Sequence, residues 1–135
     1  MATDLLNLID QLEQEHRQMR DALARLGEVP ADADLATVVA TLHDLAPVLV
    51  AGLDEHSAVE DTTLFPALAE AVGAAVDVFR AEHVDIRSWR DQLYGSPSVV
   101  DRLRAGAELR ELLEAHMDRE DAMLFPSARD VLGGE

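Results

Sequence analysis

From His56 to Pro66 the chain reads H-x-x-x-E-D-x-x-L-F-P, and the same string returns sixty residues later from His116 to Pro126. Two residues four apart on an α-helix are separated by about 40° around its axis, so His56 and Glu60 project from one face, as do His116 and Glu120. A second echo precedes each copy. Glu15-His16-Arg17-Gln18-Met19-Arg20 and Glu82-His83-Val84-Asp85-Ile86-Arg87 share the pattern E-H-x-x-apolar-R. The chain therefore reads as two related halves, each offering two histidines and a glutamate, which is the inventory of a metal site built from nitrogen and oxygen.

A lone inward histidine is ordinarily a hydrogen-bonded core residue, and a lone helical glutamate is ordinarily solvated. Six such groups in one apolar seam are another matter. Four imidazoles and two carboxylates buried without a cation would cost on the order of several kcal/mol per charge, unless they paired off or titrated to neutral. A purely structural layer of His–Glu pairs fixing helix register is the competing reading. His43 is set aside, because it lies thirteen residues before His56, about 220° around the helix. Asp61 and Asp121, one residue beyond each glutamate, either hydrogen-bond the ligand histidines or replace the glutamates as ligands. The glutamates are favoured, since i to i+4 projects better than i to i+5.

These side chains need helices to carry them. A first helix is predicted from a Thr3 or Asp4 cap to Leu26, with Gly27 as its stop and Leu5, Leu12, Met19, Leu23 and Leu26 inward. The threes-and-fours spacing is completed only if His16 also faces in. The second helix starts after the cap candidates Asp32 and Asp34 and stops at Phe65-Pro66, with a kink or division at Pro47. Its inward stripe is Leu42, Ala46, Leu49, Leu53, His56, Glu60 and Thr63. A short helical turn covers Ala67 to Val72. A third helix follows Gly73 and ends near Gly95, with Val76, Phe79, His83, Ile86 and Leu93 inward. Ser96-Pro97-Ser98 opens a fourth, which runs to the second Phe-Pro with Leu109, Leu112, His116, Glu120 and Met123 inward. The expected architecture is an all-α, up-down-up-down four-helix bundle with an internal two-fold repeat. One domain spans residues 1–135, with halves at about 1–66 and 74–126 and a tail at 127–135.

Composition narrows the setting. A formal charge of −16 repels phosphate backbones and anionic membranes, so neither nucleic acid nor a membrane is an expected partner. The chain has no cysteine, which excludes thiolate ligands and a thiol nucleophile and accords with a reducing cytoplasm. Ala36 to Leu53 is the most apolar stretch, but His43 and Asp44 interrupt it and its apolar residues form a stripe. It is expected as a buried bundle helix and not as a membrane span. The N-terminus has no basic region followed by an apolar run, so export by the general secretory route is not expected.

A histidine on helix one, H-x-x-x-E on helix two, a histidine on helix three and H-x-x-x-E on helix four resemble the hemerythrin superfamily in its HHE cation-binding branch. The resemblance covers nearly the whole chain. It implies a non-haem di-iron centre bridged by two carboxylates and an oxo or hydroxo group. His16, His56, His83 and His116 would then be terminal ligands, and Glu60 and Glu120 the bridges. Oxygen-carrying hemerythrins have a second histidine one turn along on the third helix, where this chain has Arg87 in one direction and Phe79 in the other. The four-histidine, two-glutamate set is closer to bacterial relatives linked to repair of iron centres and to oxidative or nitrosative stress, without their cysteine-bearing N-terminal domain.

Nitrogen and oxygen ligands suit iron, manganese or zinc. About five ligands per ion would leave a position open for dioxygen, peroxide or nitric oxide, with Met19 and Ile86 as an apolar lining. Three functions follow: a di-iron protein that binds or reduces such small ligands, with a redox partner unspecified; an iron donor or store; and a zinc-loaded or metal-free structural bundle. Trp89 and Tyr94 are given no role, and Arg20 and Arg87 are expected to pair with surface acids.

Overall fold

The structure is a computed structural model that describes residues 2–133. The described residues form three long helical runs, with bends. The first is α1 (Ala2–Gly27). The second comprises α2 (Leu35–Ala46), a π-helical segment at Pro47–Gly52, α3 (Leu53–Val59), a π-helical turn at Glu60–Leu64, and α4 (Phe65–Gly95). The third comprises α5 (Val99–Arg119), a π-helical turn at Glu120–Leu124 and α6 (Phe125–Gly133). There is no strand among the described residues.

Local chemistry sets the boundaries. The Asp34 side chain accepts a hydrogen bond from the Thr37 amide and caps α2, and the Ser98 hydroxyl does the same for Asp101 at the start of α5. Inside α4 the backbone leaves helical geometry at Val72 (φ −137°, ψ 38°), so the stretch before Gly73 and the long stretch after it are separate rods. That reversal lets the remainder of α4 fold back, and it packs on both the Glu60–Leu64 turn and α5. Helix α1 lies against α5 and α6.

Pro47 deforms the second run as expected, into a π-helical segment. The carbonyls that this segment leaves exposed are met by buried Arg90, whose Nη1 donates to the carbonyl of Leu49 at 3.1 Å and whose Nη2 donates to Asp54 at 2.8 Å. Phe65-Pro66 does not stop the second run, nor does Phe125-Pro126 stop the third. In each case the preceding π turn absorbs the proline: the Phe65 amide bonds back five residues to the Glu60 carbonyl, and the Phe125 amide to that of Glu120. Pro66 has no amide hydrogen for the Asp61 carbonyl, which instead accepts from Arg80 Nη2 at 3.2 Å.

The π turns also shift the inward stripe. Thr63 and Met123, expected to face in, are exposed, whereas Leu64 and Leu124 are buried. The wider turn rotates each run so that the residue four beyond the glutamate, not three, meets the core. Leu5, Ala46 and Leu112 are only partly buried, with Leu45 and Leu113 in the fully buried places beside the latter two.

The expected tail at 127–135 continues as helix to Gly133, because Ala128 is buried and Arg129 binds Glu13 and Asp10 of α1. Residues 134 and 135 lie outside the described residues. The apolar stretch of α2 is less enclosed than expected. Leu35–Gly95 contains an 18-residue window of mean hydropathy 1.6, apolar enough to cross a membrane by length and composition, of which only 22% is buried. Val38, Leu42, Leu45, Leu49 and Leu53 form its buried stripe, while His43 and Asp44 are exposed.

The buried apolar residues form two clusters. One contains Met19, Leu53, Ile86, Leu113 and Met117; the other contains Leu12, Leu64, Phe65, Phe79, Leu124 and Phe125. In sequence His16 falls between Leu12 and Met19, and His83 between Phe79 and Ile86. His56 falls between Leu53 and Leu64, and His116 between Leu113 and Leu124. The histidines therefore form a polar layer between two apolar halves.

Candidate metal centre

His16, His56, Glu60, His83, His116 and Glu120 are all buried, and both glutamates have no exposed surface. The rings form two pairs: His16 and His56 have centroids 4.9 Å apart, and His83 and His116 have centroids 5.0 Å apart. The glutamates tie the pairs together. Glu60 Oε1 lies 3.4 Å from His56 Nε2 and 3.0 Å from His83 Nε2. Glu120 Oε1 lies 3.1 Å from His16 Nε2 and 3.2 Å from His116 Nε2. Each carboxylate thus stands between one histidine of each pair.

The Nδ1 atoms face outward, and every one meets a carboxylate. His16 Nδ1 is 2.9 Å from Asp121, His83 Nδ1 is 3.0 Å from Asp61, His56 Nδ1 is 2.8 Å from Glu15, and His116 Nδ1 is 2.7 Å from Glu82. A carboxylate can only accept, so each Nδ1 carries a proton, and each Nε2 is turned to the interior. Adjacent residues Glu60 and Asp61 hold opposite nitrogens of His83, and Glu120 and Asp121 hold opposite nitrogens of His16. Asp61 and Asp121 lie on the outer nitrogens, at 3.0 Å from His83 Nδ1 and 2.9 Å from His16 Nδ1. The repeated Leu-Phe-Pro completes the grip: Phe65 stacks on His83 and Phe125 on His16, with ring centroids 5.6 and 5.4 Å apart.

Glu15 and Glu82 were missed by sequence reasoning as partners of the centre. The signal was present, for each immediately precedes a histidine in the repeated E-H-x-x-apolar-R pattern. Arg20 pairs with the surface acid Asp118 as expected, and with one acid more. It binds Asp121 at 2.6 Å as well as Asp118, so it steadies the carboxylate behind His16. Arg87 has no such pair among the described residues; Arg80 approaches Asp61 and Arg119 binds Glu82. His43 is exposed and remote from the layer. Trp89 and Tyr94 pack against the first apolar cluster, and the Tyr94 hydroxyl donates to the Leu42 carbonyl.

The charges here are strongly coupled. Burial opposes the charged form of His56, but its hydrogen bond to Glu15 and the negative charges of neighbouring Glu60 and Glu120 outweigh it and push the group up to about 10. His116 is raised in the same way, burial being overcome by Glu120 and Glu82. Burial would raise Glu60, yet contacts with Glu120, His56 and His83 hold it well below the ordinary carboxylate range. Its hydrogen bond to His56 lowers Glu15.

Donor chemistry tests the fit to a cation. The buried Nε2 atoms of His16, His56 and His116, one oxygen of Glu60 and both of Glu120 have no hydrogen-bond partner. Leaving so many polar atoms without partners in an apolar interior is costly, and a cation satisfies them together. Glu60, His83, His116 and Glu120 each place a ligating atom within 4.8 Å of the others, and so do His16, His56 and Glu120. Residues 7–128 match the hemerythrin HHE cation binding domain.

The chain belongs to this hemerythrin family.

The match takes in all six inward groups of the layer and every carboxylate behind them. No curated protein and no solved structure matches the chain. As an HHE domain the protein is a cation-binding helical protein, and its buried histidine and glutamate groups are suited to hold the cation.

Proposed function

We propose that this HHE domain holds two iron ions, with His16, His56, His83 and His116 as terminal ligands and Glu60 and Glu120 as bridges, and that it binds or reduces dioxygen, peroxide or nitric oxide. One observation carries the reading: each glutamate reaches across from one histidine pair to the other. A single cation would use one pair, whereas bridging carboxylates serve two. The long rods then act as an up-down-up-down four-helix bundle whose two-fold repeat makes the two positions nearly equivalent.

The iron pair supplies open coordination positions and one-electron steps for small ligands. The chain does the rest. Its four outer carboxylates fix the rings with Nε2 inward, and the two apolar clusters exclude bulk water. A cavity of about 10 Å³ beside the histidines, to which Met19 and Ile86 contribute as expected, has room for no more than one water-sized group. A role in oxidative or nitrosative stress inside the cytoplasm, with the redox partner unspecified, accords with the acidic, cysteine-free chain.

Iron-loaded protein should consume peroxide or bind nitric oxide stoichiometrically, with a change in its near-ultraviolet absorption. An iron-loaded protein spectroscopically indifferent to all three ligands would overturn the reading, and release of iron to an acceptor protein would favour a donor role instead.

A further inference from the structure

The chain has 11 basic residues against 27 acidic ones, so a cation finds an acid easily. Arg20, Arg90, Arg119 and Arg129 are all ion-paired. Arg110 of α5 is not. Among the described residues its guanidinium has neither an ion pair nor a hydrogen bond, and its Nε is buried without a partner. An exposed arginine leaves its donors to water, but a buried Nε cannot, and a donor left unmade in this way is costly.

The position of this guanidinium is built into the chain. It lies against Gly27, the last residue of α1, where a Cβ would collide with Cζ and both terminal nitrogens. The φ of Gly27 is not positive, so no left-handed turn demands glycine there. The missing side chain is what admits Arg110. The C-terminal end of a helix carries partial negative charge and favours a cation beside it, yet it gives Nε no acceptor here.

Arg110 borders a pocket of about 190 Å³ at the far end of the first apolar cluster. Leu26, Leu93 and Gly106 in its wall are each ten residues from His16, His83 and His116, which places it about 15 Å from the histidine layer. It is a separate site. Its lining is apolar except for Arg110 and Arg102, and Arg102 already donates to the carbonyls of Ser96 and Leu93. No acid lines it among the described residues. An apolar cavity of about 150 Å³ is enough to hold benzene, so this one has room for a ring-sized body with a small polar head.

We propose that this pocket binds a small monocarboxylate with an apolar body. The carboxylate takes up the Arg110 guanidinium, whose planar fork matches it, and the body lies among Leu26, Val38 and Leu93. A single negative charge suits the site, because a second would be desolvated in apolar surroundings with only Arg102 near it. The site does not depend on the metal.

Calorimetric titration of the full chain, as purified, with benzoate tests this. One benzoate should bind per chain. Benzamide, which keeps the shape without the charge, and acetate, which keeps the charge without the ring, should each bind at least about tenfold more weakly. Arg110→Ala should weaken benzoate by about tenfold or more, with metal content and helix content unchanged. Gly27→Ala keeps the guanidinium but pushes it aside, so benzoate should weaken likewise while the melting temperature does not fall, alanine being the better helix former. That second variant decides the matter if Arg110→Ala fails to fold. Benzoate bound equally by wild type and Gly27→Ala, as it would be if it sat on the metal, would overturn the proposal. So would benzamide binding as tightly as benzoate, or a wild type that binds no benzoate.

Discussion

Glu15 lies one residue before His16 yet binds the other histidine of the pair, His56, whose Nδ1 it meets at 2.8 Å. Glu82 has the same relation to His116 across His83. Each E-H doublet therefore serves two neighbours: its histidine is held by the Glu-Asp of a π turn, and its glutamate orients the histidine that opens an H-x-x-x-E motif. The halves of the repeat are interlocked, and no half contains a complete site.

That relation puts the outer carboxylates to a direct test. Glu15→Ala or Glu82→Ala should weaken metal binding by about 10- to 100-fold while leaving helix content unchanged. The glutamine variants should recover part of the loss, because an amide oxygen still accepts from Nδ1 but carries no charge. Metal titration in competition with a chelator measures this. Unchanged affinity in both alanine variants would remove Glu15 and Glu82 from the centre.

Stability of the metal-free protein should fall as the solution becomes alkaline. His56 is raised from its ordinary 6.5 to about 10, so its contribution is complete below 6.5 and is lost as pH rises through about 10. His116 shifts in the same direction. Glu60 and Glu15 are lowered, so their contribution is present above the ordinary 4.5 and disappears as pH falls through their depressed values. The metal-loaded protein should behave differently, because protons compete with the cation for the histidines and acid expels it. Melting curves between about pH 5 and 10, with and without chelator, should separate the two trends. A metal-free melting temperature that rises steadily from neutral to alkaline pH would contradict the charge coupling.

The stacked phenylalanines give a stability test. Phe65 and Phe125 have no exposed surface, and each lies against a histidine of the layer. Phe65→Ala or Phe125→Ala should cost about 3–5 kcal/mol by the cavity it leaves, read from denaturant unfolding of the metal-free form. Losses below about 1 kcal/mol would mean that the core collapses into the space.

How much was legible in the sequence depended on which signal each residue left. His16, His56, His83 and His116 were readable as inward because helical periodicity is incomplete without them, and the repeat doubled the evidence for Glu60 and Glu120. Thr63 and Met123 were misread because a π turn changes the residues per turn, and no single residue type announces one. The same turn explains why Phe-Pro was taken as a stop. Arg90 was not singled out, since its buried place depends on carbonyls freed 40 and 41 positions earlier, a pairing that only the fold creates. Asp61 and Asp121 stayed open until their neighbours in space were known.

The most direct measurement is the number of metal ions per chain in wild type, Glu60→Ala and Glu120→Ala after loading with iron and removal of excess. Two irons in wild type, and well below two in each variant with helices intact, is the predicted result. One iron in wild type, or two retained in both variants, would contradict a centre bridged by these glutamates.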